Sequence, residues 1–535
     1  MRATAAVLPL LLLVGRGLGA APADCLRSSG GDPAPPGVTI GRFEIVRHDI
    51  FDAGDDSLAW PYRLANRLHP VTREGVIRRE LLVGPGDCPD WEALAQTERN
   101  LRRLGFLRDA RVEVRPPEDG ARDTVDVRVS TFDTWTTVPQ LRLAKVGNRW
   151  VWTAGLSERN LFGRGQKVEV LRRSDLERDE TLFAVRDPRV AGSRTQALAS
   201  FGARSDGHRT EVEIGRPFFA LTTKWSFRAR LESFEQVDPV YEGGERVGDL
   251  PHAARWIELS GARAVARTAA GALRVHLAYR HRRDEVAADR RRFGIAEAGL
   301  SLVEHRFVKL THVNRFEAAE DFNLGHQLEA AVGASTAALG GEPGTVLVLS
   351  VADRVGLPLG REHFLLGEAR WAGRHHRGRW ENAIGEVQLD GFARLARRAV
   401  ALGRVQYRHG TNLDPEVQVT LGAQNGLRGY AVHQFAGTRS WLLAAESRLF
   451  VADDVRQLAS FGLAAFAEAG YAWPAGRPVA LRDLRGNVGI GLLVGRNRLT
   501  TSRRAARFDF AYALAPIPGR SRWLFSAGLE AGFLN

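Results

Sequence analysis

Long apolar runs are nearly missing from this chain of 535 residues, and the one present lies at its start. Past it, nothing approaches the roughly 20 apolar residues of a spanning helix. Any membrane crossing by the rest of the chain must therefore use a closed β-barrel, which leaves no backbone group unpaired in lipid. Cysteine is also scarce, with Cys25 and Cys88 the only two. That excludes a disulfide-built scaffold and a cysteine-ligated metal cluster. A disulfide between Cys25 and Cys88 and a pair of free thiols both stay open, since sequence supplies no geometry. Lysine is reduced to Lys145, Lys167, Lys224 and Lys309, so the net charge of +13 is carried almost wholly by arginine. Most of that excess fits a compositional bias. A subset suits attraction to anionic lipid headgroups or to acidic groups inside a polar lumen.

Catalytic signatures are missing too: there is no GxSxG, no HExxH, no phosphate loop and no metal-spaced Cys/His cluster. His375 and His376 stand among arginines and read as a solvated loop or lumen face. No nucleic-acid module is present, and an exported chain is a poor partner for nucleic acid. The expectation is a protein that is not an enzyme and holds no cofactor, metal or nucleic acid.

What is present begins with a secretory signal over residues 1–23: Arg2 at the charged start, an apolar core from Ala5 to Val14, and small residues from Gly19 to Ala23. Residues 24–37, rich in Gly, Ser and Pro, read as a linker. Residues 38–132 have mixed α and β texture. Ile40 to Phe51 alternates as a strand. A helical turn is expected around Tyr62 to Leu68. A helix from Thr72 puts Val76, Ile77, Leu81 and Leu82 on one face, and another runs from Pro89 to Leu104. Two strands follow, carried by Val112 and Val114 and by Val125, Val127 and Val129.

From residue 133 to 535 the helical period disappears. Leu273, Val275, Leu277 and Tyr279 alternate with Arg274, His276 and Arg280, and Trp523, Phe525, Ala527, Leu529, Ala531 and Phe533 repeat at period two. Arginines on one face with aromatic and aliphatic residues on the other suit a transmembrane antiparallel β-barrel with a wet interior. A soluble β-sandwich would alternate as well, but the export signal and the length of the strand-rich region, about 400 residues, favour the barrel. At roughly 25 residues per strand and turn, about 16 strands are expected.

One segment is not strand filler. In Gly426-Leu427-Arg428-Gly429-Tyr430 the glycines permit close backbone approach, and the arginine offers a rigid fork that wants a carboxylate. Candidate partners lie in Phe466-Ala467-Glu468-Ala469-Gly470, with Glu446 and Arg448 upstream. Further along, Arg507 and Asp509 share one face, which is the lumen if Phe508, Phe510 and Tyr512 meet lipid.

These residues, with Thr97–Phe106 (TERNLRRLGF), Gly155–Gly165 (GLSERNLFGRG), Arg216–Ala220 (RPFFA) and Glu320–Gly325 (EDFNLG) in this order, resemble the BamA/TamA-type family of outer-membrane assembly and transport barrels. The resemblance implies one periplasmic POTRA domain over residues 38–132 ahead of the barrel. It also implies a lumen loop in which Arg428 faces Glu468, with Phe466 beside it and Glu446 nearby. Glutamate stands at 468 where the family usually has aspartate. The implied partners are outer-membrane lipids and an unfolded client or periplasmic polypeptide, added as a strand to the POTRA edge near Val125 to Val129. The implied mechanism is a weak lateral seam between Trp152–Leu156 and Leu524–Phe533, used to insert other barrels or to pass a polypeptide or lipid. A passive pore and a two-partner secretion transporter are the alternatives.

Overall fold

The computed structural model describes residues 38–51, 60–117, 120–121, 123–146, 148–268, 270–495 and 505–529. The signal and linker expected over 1–23 and 24–37, Cys25 included, lie outside them, as do 530–535.

The N-terminal unit runs β1 (Thr39–His48), α1 (Trp60–Leu68), α2 (Glu74–Arg78), α3 (Trp91–Arg103), β2 (Leu107–Arg115), β3 (Thr124–Asp133). Asp90 caps α3 by accepting from Ala93 N at 3.1 Å, and Leu104 leaves the helix in an extended conformation. Leu94 and Leu101 of α3 pack with Val76 and Ile77 onto Ile40, Val127 and Val129. Two expectations need correction. The helix predicted from Thr72 shrinks to the single turn of α2, because Leu82 N donates to Thr97 Oγ1 instead of continuing the helical ladder. The sheet order is β1-β3-β2, with β1 parallel and β2 antiparallel to β3. Val125 to Val129 therefore lie in the central strand, because the crossover through the helices places β2 one position away from β1 and the β2–β3 hairpin folds β3 into the gap between them. The free edges belong to β1 and β2.

The remaining strands form a closed antiparallel barrel of 20 strands among the described residues, not the 16 or so expected. The excess has a simple cause. At 205–206, 243–244, 287–288, 377–378 and 397–398 the chain reverses in two residues, helped by positive φ at Gly243, Gly244, Ala287, Arg377 and Gly378. Less chain is spent on each turn, so more strands fit the same length. Sidedness follows the period of two. In the strand Arg439–Val455, Trp441, Leu443, Leu449 and Val451 are exposed outward, whereas Leu442, Glu446, Arg448 and Phe450 are buried inward. Leu277, Ile490 and Phe510 continue the exposed apolar exterior elsewhere. An apolar surface of this extent calls for lipid.

The barrel closes between its first strand, Thr137–Val146, and its last, Trp523–Leu529, where Ala527 pairs with Lys145. Trp152–Leu156, expected at the seam, lies instead in the second strand and is laddered on both sides. The strand ahead of it had been missed because it carries Pro139, which supplies no ladder N–H and is tolerated at sheet edges. At one mouth the N-terminal unit docks. Arg73 N donates to Gly163 O at 3.0 Å, and Asn100 Nδ2 donates to Phe219 O at 3.0 Å. From this mouth the connection 305–326 folds inward. Its short strands Phe307–Leu310 and Glu320–Asn323 pair with each other, and Val313, Phe316 and Phe322 pack on the inward-facing Phe364, Phe392, Phe450 and Leu493. From the opposite mouth the connection 412–438 also descends into the lumen.

Candidate functional site

The descending loop is held by its own small structure. Val419–Leu421 pairs with Phe435–Gly437, and Leu427, fully buried, packs with Tyr430, Phe435 and Leu442. Gly426 sits at φ +129, a conformation L side chains rarely adopt, and a Cβ there would run into Leu442. At Gly429 the backbone passes so close to Asn487 that a Cβ would collide with that side chain. The two glycines thus bring the intervening arginine against the wall.

Arg428 meets three carboxylates. Its Nε donates to Glu468 Oε1 at 2.6 Å and its backbone N to Glu468 Oε2 at 2.8 Å. Nη2 donates to Glu446 Oε2 at 3.0 Å, and Nη1 lies 3.3 Å from Asp509 Oδ2. The guanidinium stacks over the Phe466 ring, 3.5 Å from its centroid. The longer glutamate side chain at 468 reaches both the backbone and the guanidinium of Arg428. Around this centre Arg507 donates to both oxygens of Glu446 (2.8 and 2.9 Å) and to Asp509 at 2.7 Å. Arg448 donates to Glu446 Oε1 at 2.7 Å and to the Val313 carbonyl at 2.7 Å. Three arginines and three carboxylates therefore balance inside the wall, and Glu446 touches all three cations. Gly470 stands further along the same face as Phe466 and Glu468, and a Cβ there would crowd the Trp441 carbonyl.

The cluster links the two lumen insertions, since the wall residue Arg448 joins Glu446, which also holds Arg428 of the loop, to Val313 of the 305–326 segment. It also borders the seam. Tyr430 Oη donates to Gly486 O at 2.9 Å, and Val432 N donates to Asn148 Oδ1 at 3.4 Å. A cavity of about 420 Å³ separates the cluster from Lys145, Ala527 and Gly528 of the closing strands.

A second constellation, which sequence reasoning missed, joins α3 to the lumen segment. Arg102 Nη2 donates to Asp321 at 2.7 and 2.8 Å and its Nε at 3.0 Å. Lys309 Nζ donates to Glu98 at 3.0 Å, and the Arg99 guanidinium lies over Phe307. Glu98 also accepts from Val112 N at 2.9 Å, and Arg102 lies 3.4 Å from Ala110 O. The same two side chains thus cover backbone groups on the free edge of β2 and hold the segment inside the barrel. Burial pushes the Glu98 carboxyl up, but Val112 N–H, Arg102 and Lys309 outweigh it and keep it below the usual glutamate range. The i,i+4 pairing of Glu98 with Arg102 was visible in sequence; its partners more than 200 residues away were not.

Cys88 is half of a disulfide; Cys25, the chain's other cysteine, lies outside the described residues. His375 rests edge-on against Trp380, and His376 faces Glu381 at 3.7 Å. Among the described residues no group of three or more His, Cys, Asp or Glu is placed to hold a metal ion.

No protein-family model and no curated protein matches the sequence. Among solved structures, the chain resembles BamA from Haemophilus ducreyi lacking POTRA domains 1–3. That match has 12% identity, 93% of this chain and 85% of that chain covered, and a TM-score of 0.39. It also resembles CdiB from Acinetobacter baumannii, at 12% identity, 92% and 73% covered, and a TM-score of 0.45. CdiB from Escherichia coli aligns at 9% identity, with 94% and 93% covered and a TM-score of 0.46.

Proposed function

We propose that the chain is an outer-membrane barrel of the BamA/TamA type, with residues 38–132 as a single periplasmic POTRA-like domain. On this reading it assists insertion of other barrels or passes a polypeptide, and performs no catalysis. The observation that carries the reading is the seam. The wall is closed where Ala527 of the last strand meets Lys145 of the first, and the Arg428 cluster faces this junction across a cavity of about 420 Å³. Were this junction to open, its freed edges would offer pairing to an incoming strand.

The client is taken at the free edge of β2 by strand addition. A strand pairing there competes with Glu98 and Arg102 for Val112 N and Ala110 O, and so loosens their hold on Lys309 and Asp321. Binding outside the barrel is thereby coupled to release of the segment within it. The filled lumen weighs against a wide passive pore.

The test is a covalent lock on the seam, Lys145→Cys with Ala527→Cys, in proteoliposomes offered an unfolded outer-membrane barrel protein. Oxidation should stop uptake, and reductant should restore it. Equal uptake in both states, with the disulfide confirmed, would sink the seam mechanism. Photocrosslinking from Arg111 and Glu113 on β2 would identify the client.

A further inference from the structure

Under the N-terminal unit, at the barrel mouth, lies a cleft of about 510 Å³, bordered by the Asn100–Phe219 hydrogen bond. Its walls carry Arg103, Arg159, Lys167, Arg186, Arg189 and Arg194, against one carboxylate, Glu80. Arg189 and Arg194 both reach for that carboxylate. Burial and the neighbouring cations Arg194 and Arg79 bring Arg189 down to about 10. Glu169 pairs with Lys167 and is also the carboxylate nearest in effect to Arg159, so one anion serves two cations. The Arg159 Nε is buried without a hydrogen-bond partner among the described residues. A cleft with this surplus is costly unless an anion completes it.

The rest of the lining is apolar and aromatic: Leu104, Phe106, Pro188, Phe218 and Phe219. Arg194 already stacks on Phe219, 4.2 Å from the ring centroid. The direction of approach is fixed by the pleat. Val170 and Val185 point to the exterior, so Lys167 and Arg186, one or three residues away along their strands, point to the lumen. A bilayer headgroup faces the other side of the wall. A bare inorganic anion would leave the aromatic floor unused.

We propose that this cleft binds an acidic, aromatic-containing peptide segment, with carboxylates among Arg159, Arg186 and Arg194 and apolar side chains on Phe106 and Phe219. The volume lies within the range of specific ligand pockets. The proposal leans on the transport reading only for where the segment comes from, namely a client crossing the mouth.

The full chain in detergent micelles is titrated with a fluorescein-labelled peptide of alternating Glu and Phe, and anisotropy is recorded. An otherwise identical peptide with Gln for Glu is the comparison, and inorganic phosphate is the competitor. The acidic peptide should bind about tenfold or more tightly than the amide form, as expected for loss of a charge-assisted contact. Arg159→Gln and Arg186→Gln should each erase most of that difference and flatten its salt dependence. Neither residue holds the Glu80 contact, and folding is checked by gel mobility without boiling. Equal binding of the two peptides to the unmodified protein overturns the proposal, as does binding of phosphate alone or full affinity in both variants. Peptide binding by seam-locked protein that moves no client would separate this site from the transport mechanism. Transport without peptide binding would refute the site and spare the mechanism.

Discussion

Replacing Arg428 by alanine tests whether the arginine, rather than the apolar packing of Leu427 and Tyr430, holds the lumen loop in place. Three side-chain hydrogen bonds to carboxylates are lost. At about 1.5–3 kcal/mol for each bond to a charged group, the gross loss is roughly 5–9 kcal/mol. Part of this is offset, because Arg428 regains water and rotamer freedom when the loop undocks. Its side chain is 14% exposed and its partners Glu446 and Glu468 are 0% and 3% exposed, so the pairs count as buried. Removing one partner of a buried pair costs about 3–5 kcal/mol. The variant keeps three carboxylates against two arginines, and their repulsion works in the same direction. An undocking equilibrium should therefore shift by about two to four powers of ten. Hydrogen exchange of amides across 421–437, read by mass spectrometry in micelles, reports that equilibrium directly. Arg428→Lys should fall between wild type and alanine, since one ammonium cannot span three carboxylates. In the Arg428→Ala/Glu468→Gln double variant, the second change should cost much less than it does alone. Exchange within threefold of wild type in a correctly folded Arg428→Ala protein would refute the reasoning and assign the loop's position to its apolar core.

Other outcomes follow from the same contacts. Glu446→Gln leaves Arg448, Arg507 and Arg428 short of a shared carboxylate and should lower the urea midpoint by an amount equal to about 3–5 kcal/mol. Gly489→Ala places a methyl group against the Phe466 ring and the Phe510 carbonyl, and should cost about 1–3 kcal/mol in the same assay. Asp321→Asn weakens the Arg102 fork and should expose 307–324 to protease, with a loss of about 1.5–3 kcal/mol in docking. The junction should also respond to pH. Glu98 is held below its ordinary range in the folded protein, so its contribution is present above that range and is lost as pH falls through it toward the depressed folded value. Exchange across 307–324 should rise on acidification and recover on return to neutral pH; Glu98→Gln should abolish the dependence.

The fold was legible as far as local periodicity reaches. Strand residues alternate because the backbone repeats every two residues, so Phe508 and Phe510 against Arg507 and Asp509 announce an apolar and a polar face before any partner is known. The helix of Trp91–Arg103 was marked by its apolar spacing, while its Asp90 cap emerged only with the structure. What failed was pairing. Val125 to Val129 read as an edge because a strand's own sequence does not state how many neighbours it has, and β1, lying parallel to β3, supplied the second one. The opening strand was misplaced because Thr137–Val146 carries a proline and a weak pattern.

By itself, the sequence determined the chemistry of each surface: an apolar outside, an arginine-rich inside, and a glycine-flanked arginine able to approach another backbone. Only the tertiary structure decided how many strands close the wall, which two strands meet where it closes, and that Arg428 shares three carboxylates from three strands. It alone joined Arg102 to Asp321 across 219 residues of chain. The reason is physical. Period and turn type are set by neighbours along the backbone, whereas register, closure and ion-pair partners depend on contacts whose sequence separation leaves no local trace.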